Sequence, residues 1–235
     1  MVWLAVAAAI AVSSVTPART GQPDLATDDV AYLTQLGLVR GHLSVGFGLY
    51  REGAKEAARS HMKHPGDELY AALVPAFAAR GAPPFDAALA HLATLVERNA
   101  PVAEVEAAYA DLERGIAAAS AGASKAGLKE RLGAVARLVR TAGEEYAEGV
   151  KDGAVVNAHE YQDALGFARV AREMVRTIPA GERARASAAI AAIEAELAKL
   201  DHLWPSLVPP PSVKGDAAEI FGAASRIELA ASAVR

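Results

Sequence analysis

Residues 41–70 read GHLSVGFGLYREGAKEAARSHMKHPGDELY, and how this stretch folds decides how the rest of the chain is read. It carries His42, His61 and His64, three of the six histidines in the 235-residue chain, with Met62 and the break Pro65-Gly66. Gly53 stands near its middle, behind Arg51-Glu52, so the pattern predicts two helices folded back on each other there. In an antiparallel hairpin, residues equidistant from the turn face one another. His42 lies eleven residues before Gly53, His64 eleven after it and His61 eight after it. Leu38, His42, Val45 and Leu49 recur at helical spacing, which places His42 on an apolar stripe. Ala57, His61 and His64 share one face of the return helix. Pro65 disfavours helical geometry at His64 and ends that run.

The hairpin is therefore expected to gather His42, His61, His64 and, just past the proline, Glu68 as ligands of a transition metal. Imidazole and carboxylate together suit iron, zinc, copper or nickel. Asp67 is an alternate oxygen donor, and the Met62 thioether matters only for copper. Such a site needs neutral histidines, so binding should weaken as pH falls through their titration range. A plainer reading fits the same letters. Gly46, Leu49-Tyr50, Gly53, Ala57-Ala58, His61-Met62 and Pro65 partly match the packing pattern of a tetratricopeptide hairpin. His61 then packs, and His64 caps a helix end. One hairpin is too few for an array, and no second copy is visible.

Working outward, the first helix is expected to start at Thr27-Asp28-Asp29, an acidic N-cap region, and to run to Arg51. Beyond the hairpin, Leu69, Leu73 and Phe77 mark a third helix with Pro75 inside it. Gly81-Ala82-Pro83-Pro84 breaks the chain before a short helix through Leu92 and Leu95. Pro101 opens another that carries Val105, Leu112 and Ile116. Ser120 to Ser124 marks the expected boundary between an N-terminal helical module, residues 27–119, and a second module, residues 125–235. In the second, Leu128 to Tyr146, Tyr161 to Ile178, Ile190 to Trp204 and Ile220 to Val234 each hold a helical apolar repeat. Short connections at Gly149–Val156, Pro179–Gly181 and the proline-rich Pro205–Ser212 predict an antiparallel four-helix bundle. The whole is expected to be all-α, a helical hairpin module followed by that bundle. Apolar residues make up 52% of the chain, much of it alanine, and runs of period two are absent.

Met1 to Ala18 is apolar and then small, with the length of a signal-peptide core rather than of a membrane span, so export to the periplasm is expected. The chain has no cysteine, which fits that compartment without requiring it. Net charge is −4 with no basic block, so nucleic acid is not an expected partner.

A second group of candidate ligands lies in EEYAEGVKDGAVVNAHEYQDA, residues 144–164. Glu145, Glu148, His159 and Asp163 form a possible accessory metal site at the reversal between two helices. Capping explains several of its neighbours, since Asn157 with Glu160 reads as a capping box and Asp152-Gly153 as a turn. Phosphate loops, nucleophile elbows and a His-Glu-x-x-His pair are all missing, and no catalytic residue is assigned. A general-base role for His61 or His64 has the least support.

Tyr146, Val150, Asp152, Gly153, Val155, Val156, Asn157, Glu160 and Tyr161 form a pattern that resembles the extracytoplasmic region of bacterial high-affinity iron permeases. Gly-His-Leu-x-Val-Gly at residue 41 and His-x2-His-Pro-x-Asp-Glu-Leu-Tyr at residue 61 look like exported helical proteins of proteobacteria. Imelysin-like proteins are a more distant analogy. Arg226-Ile227-Glu228 is not the permease Arg-Glu-x-x-Glu motif, and the imelysin-like His-x-x-Glu signature is absent. The resemblance implies periplasmic metal handling, with iron favoured over zinc or copper and a membrane permease or other envelope protein as partner. The alternative is a non-catalytic interaction or scaffold protein of the envelope that holds no metal.

Overall fold

The computed structural model describes residues 23–64 and 69–234, the His64 side chain excepted. The leader expected over residues 1–18, and Glu68, lie outside the described residues. Among the described residues, ten α-helices account for almost all regular structure: α1 (Asp29–Arg51), α2 (Lys55–His64), α3 (Tyr70–Arg80), α4 (Asp86–Glu97), α5 (Val102–Ser120), α6 (Leu128–Gly149), α7 (Ala158–Arg176), α8 (Ala180–Arg185), α9 (Ser187–Lys199) and α10 (Ala217–Ser232). Two short strands, β1 (Val150–Lys151) and β2 (Ala154–Val155), pair antiparallel between α6 and α7. The all-α expectation holds.

The C-terminal helices form the predicted bundle. α6 packs on α7 and α10, and α9 packs on α10 and α7, closing a ring of four. Arg140 pairs with Glu228 while Gly143 lies under Phe221, so α6 and α10 run antiparallel. Arg172 reaches both Leu197 O and Asp201 across the α7–α9 face. The buried residues are those of the helical repeat: Leu132, Val135, Val139 and Tyr146 on α6, Ile190, Ile193 and Leu197 on α9, and Ile220 and Ile227 on α10.

The first helix departs from its expected role. Its sequence suggested one apolar stripe, yet Tyr32, Leu33, Leu36, Gly37, Val39, Gly41, Val45 and Leu49 are buried around nearly its whole circumference. From Thr34 to Tyr50 its one Lys, Arg, Asp or Glu is Arg40, and a helix apolar on all sides belongs in an interior. α1 lies against α6 and α7 on one side and against α2, α3 and α5 on the other. Asp28 caps its start, its Oδ1 accepting from Ala31 N at 2.9 Å. Gly53, with φ of +83°, provides the reversal into α2. Buried hydroxyls tie the N-terminal helices together: Tyr32 donates to Ala119 O at 2.8 Å and Tyr50 to Ala100 O at 2.5 Å.

Two glycines set how closely α1 approaches α7. A Cβ on Gly166 would stand 2.5 Å from Gly41 O, and one on Gly41 would run into the Phe167 ring. There the two backbones come into direct contact. That contact brings His42 within reach of the first turns of α7.

The other end of those turns is held by a proline-rich strap, residues 204–213. Trp204 Nε1 donates to Tyr161 O at 3.2 Å, and Tyr161 Oη donates to Ser206 O at 2.9 Å. Val155 N donates to Pro211 O and Val213 N to Gly153 O, so the strap also lines the β1–β2 hairpin. Asp152 and Gly153 turn that hairpin with φ of 51° and 80°. Among the described residues, no helix is long and apolar enough to cross a membrane.

Candidate metal centre

Four side chains from three helices converge beside the Gly41–Gly166 contact. His42 comes from α1, His61 from α2, and His159 and Asp163 from the first two turns of α7. One ligand atom from each lies within 4.8 Å of all the others. Asp163 is the hub. Its Oδ1 stands 2.6 Å from His42 Nδ1 and 3.0 Å from His61 Nδ1, and its Oδ2 stands 3.3 Å from His159 Nε2. Relative exposure is 8% for His42, 0% for His61 and 2% for Asp163, so this polar group is sunk into the protein.

Local sequence explains each placement. Asn157 caps α7 by accepting from His159 N at 3.0 Å, which fixes the turn that carries His159. Asp163 follows one helical turn later and so falls on the same face. Gly46 lets α2 lie close, since a Cβ there would stand 3.2 Å from that of His61. The His42 ring is held edge-on by Phe167, at 5.1 Å and 86° between planes. His61 and His159 stack at 4.0 Å with planes 8° apart.

The outer sides of the rings are also held. His61 Nε2 lies 2.9 Å from Gln162 Oε1, and His159 Nδ1 lies 3.4 Å from Ser60 Oγ. Hydrogen bonds at the far nitrogen orient histidines that serve as metal ligands. On the inner side, His61 Nδ1 and Asp163 Oδ1 are buried and close, yet neither has a hydrogen-bond partner of acceptable geometry. Buried polar atoms of this kind are costly unless something satisfies them.

Electrostatics sets the state of two of the four groups. Burial alone would push the Asp163 carboxyl up, but its close contacts with His42 and His61, and their charge, outweigh it and hold the group well below the usual carboxylate range. Burial lowers the His159 pKa, the nearby His61 lowers it further, and Asp163 opposes both. At neutral pH the site thus offers an ionised carboxylate and a neutral imidazole at residue 159. Glu145, on α6, behaves differently. Burial, a hydrogen bond with Glu160, and the charges of Glu160, Asp163 and Glu144 push its carboxyl up to about 8.

Three imidazoles and one carboxylate match the preferences of iron, zinc, copper, nickel or cobalt in the divalent state and do not suit calcium or magnesium. A first-row ion stands about 2.0–2.2 Å from each ligand atom, so two of its ligands lie no more than about 4.3 Å apart. The 4.8 Å span of these four atoms needs to close by only about half an ångström. The residues fit such an ion.

The sequence grouped these residues differently. His42 and His61 belong to the hairpin set, whereas His159 and Asp163 were expected as an accessory pair with Glu145 and Glu148. The structure brings two members of each set together. Across the hairpin, His42 was expected to face His64; His61 is the histidine described beside it, at 6.4 Å between ring centroids. The His64 side chain and Glu68 lie outside the described residues. Glu148 is exposed and pairs with Lys151 at 3.7 Å, away from the cluster. Glu145 reaches Glu160 instead. Met62 is buried against Gly46. Gln162 was missed; beside Asp163 it reads as an ordinary polar helix residue.

Comparison with known families adds one match. Residues 122–235 fit the family described as the iron permease-associated 4-helix bundle domain. The match spans α6 to α10 and just under half of the chain, and it includes His159 and Asp163 but neither His42 nor His61. The resemblance first carried by Tyr146, Asp152, Asn157 and their neighbours therefore extends over the whole bundle. No curated protein and no solved structure matches the chain.

Proposed function

We propose that this chain binds a first-row transition-metal ion through His42, His61, His159 and Asp163, and that it is an exported protein serving metal uptake or homeostasis in the cell envelope. One observation carries the reading: four buried ligand atoms from three helices lie within 4.8 Å of one another. A buried cluster of imidazoles around a carboxylate is expensive to maintain unless it has work to do. His64 and Glu68 stand in the proposal as further donors from the sequence alone.

Iron is the favoured cargo, because the bundle that supplies His159 and Asp163 matches a domain described as iron permease-associated. A membrane permease is the corresponding partner. Zinc and copper fit the same nitrogen and oxygen donors. The protein would bind the ion and hand it on, without changing it chemically.

The test is metal analysis of protein purified without a histidine tag and then loaded with iron(II) or zinc(II). The proposal expects stoichiometric metal that is lost in His61→Ala and Asp163→Asn. Wild-type protein that neither retains nor takes up metal would leave the scaffold reading. That second reading is favoured by the wholly buried His61 ring, which already has one nitrogen bonded to Gln162, as a core histidine would.

A further inference from the structure

Gln162 is 4% exposed and sits between the cluster and the proline-rich strap. Its amide nitrogen donates to Leu207 O at 3.2 Å, and its Oε1 lies 2.9 Å from His61 Nε2. The strap carbonyl can only accept a hydrogen bond, so the amide nitrogen must face it. The amide oxygen then faces His61. Because that oxygen also only accepts, His61 Nε2 must carry the proton. A neutral imidazole has one ring proton, so Nδ1 keeps its lone pair. Nδ1 is the nitrogen that stands 3.0 Å from Asp163 Oδ1, inside the cluster.

The opposite arrangement has its own attraction. Asp163 Oδ1 is a buried acceptor, and an Nδ1 proton on His61 would give it a donor. That tautomer would point an N–H at the ion and remove the ring as a ligand. We infer that Gln162 is a positioning residue: anchored to the strap through Leu207, it holds the His61 proton on Nε2 and so commits Nδ1 to the metal. The inference rests on the metal-binding reading for its consequence, but the tautomer is a property of the protein before any ion arrives.

The experiment takes the two apart. In protein labelled with ¹⁵N-histidine and free of metal, the ring nitrogens of His61 are read by long-range proton–nitrogen correlation, followed by cobalt(II) titration of the same samples. Wild type should show His61 protonated on Nε2. Gln162→Leu should move that proton to Nδ1 and weaken cobalt(II) binding about 10–100-fold. Gln162→Glu, which restores an acceptor, should keep the tautomer and recover most of the affinity. Wild-type His61 protonated on Nδ1 would overturn the inference without any variant. So would a folded Gln162→Leu protein with an unchanged tautomer or with affinity within about twofold of wild type. Wild-type protein that binds no cobalt(II) would sink the metal reading alone, and the tautomer comparison would still decide the role of Gln162.

Discussion

The imidazoles of His61 and His159 lie face to face, 4.0 Å apart and within 8° of parallel. Two positive rings at that separation in a buried site repel strongly, so the stack is stable only while at least one is neutral. The His159 pKa is lowered, chiefly by burial. An unfolded chain therefore takes up a proton at this position at a pH where the folded one does not. Stability from His159 is complete above its unfolded value of 6.5 and is lost as pH falls from there through the lower folded value. Metal-free protein should melt at progressively lower temperature below that pH, and His159→Gln should flatten this part of the profile. A wild-type melting temperature that stays constant through the window would contradict the neutral stack.

Glu145 predicts a slope of the opposite sign. Its carboxyl is pushed up to about 8 from the ordinary 4.5, so between those two values the folded chain holds a proton that the unfolded chain has lost. Its contribution to stability accordingly falls as pH rises through that range. Glu145→Gln, a permanently neutral replacement, should be more stable than wild type at pH 8 and gain less at pH 5. Denaturant melts at the two pH values measure this. Equal differences at both would show that Glu145 is ionised like a surface carboxylate.

Gly166→Ala tests the contact that builds the cluster. The new methyl would meet Gly41 O at 2.5 Å, a backbone atom that cannot rotate aside. Helices α1 and α7 must then separate, at a cost of about 1–3 kcal/mol or somewhat more. Metal affinity should drop with stability, because His42 and Asp163 sit on opposite sides of that contact. Gly181→Ala is the control, since nothing lies within 4 Å of its added Cβ. Gly166→Ala protein with wild-type melting and wild-type metal binding would show that the close approach is not needed.

Tyr50→Phe addresses the N-terminal helices. Tyr50 is buried and donates to Ala100 O at 2.5 Å. Removing the hydroxyl leaves that carbonyl without this donor, at about 1–3 kcal/mol. The loss should appear in denaturant melts with metal affinity little changed, because Tyr50 is not among the four cluster residues. A large fall in affinity would tie the cluster to the α1–α4 packing more tightly than the contacts suggest.

Much of the bundle stood in the sequence. The apolar repeats of Leu132 to Tyr146 and Ile190 to Leu197 are local signals, and so are the Asn157 cap and the Asp152-Gly153 turn. The hairpin at Gly53 was legible for the same reason. The depth of α1 has a signal in the sequence too, since the near absence of charge from Thr34 to Tyr50 marks a helix buried all round. The meeting of His42 and His61 with His159 and Asp163 was not legible. It depends on Gly41 and Gly166 lying against each other, and two glycines so far apart in the chain leave no period or motif behind. Gln162 was hidden for a related reason: its partners, His61 and Leu207, come from separate parts of the chain.

The central claim is that an ion sits among His42, His61, His159 and Asp163. The most direct measurement is an anomalous-difference map from a crystal soaked in iron(II) or zinc(II), recorded at the metal edge. The account predicts one strong peak bonded to Nδ1 of His42, Nδ1 of His61, Nε2 of His159 and the Asp163 carboxylate. A map with no peak among those atoms, or with metal bound only elsewhere on the chain, would contradict it.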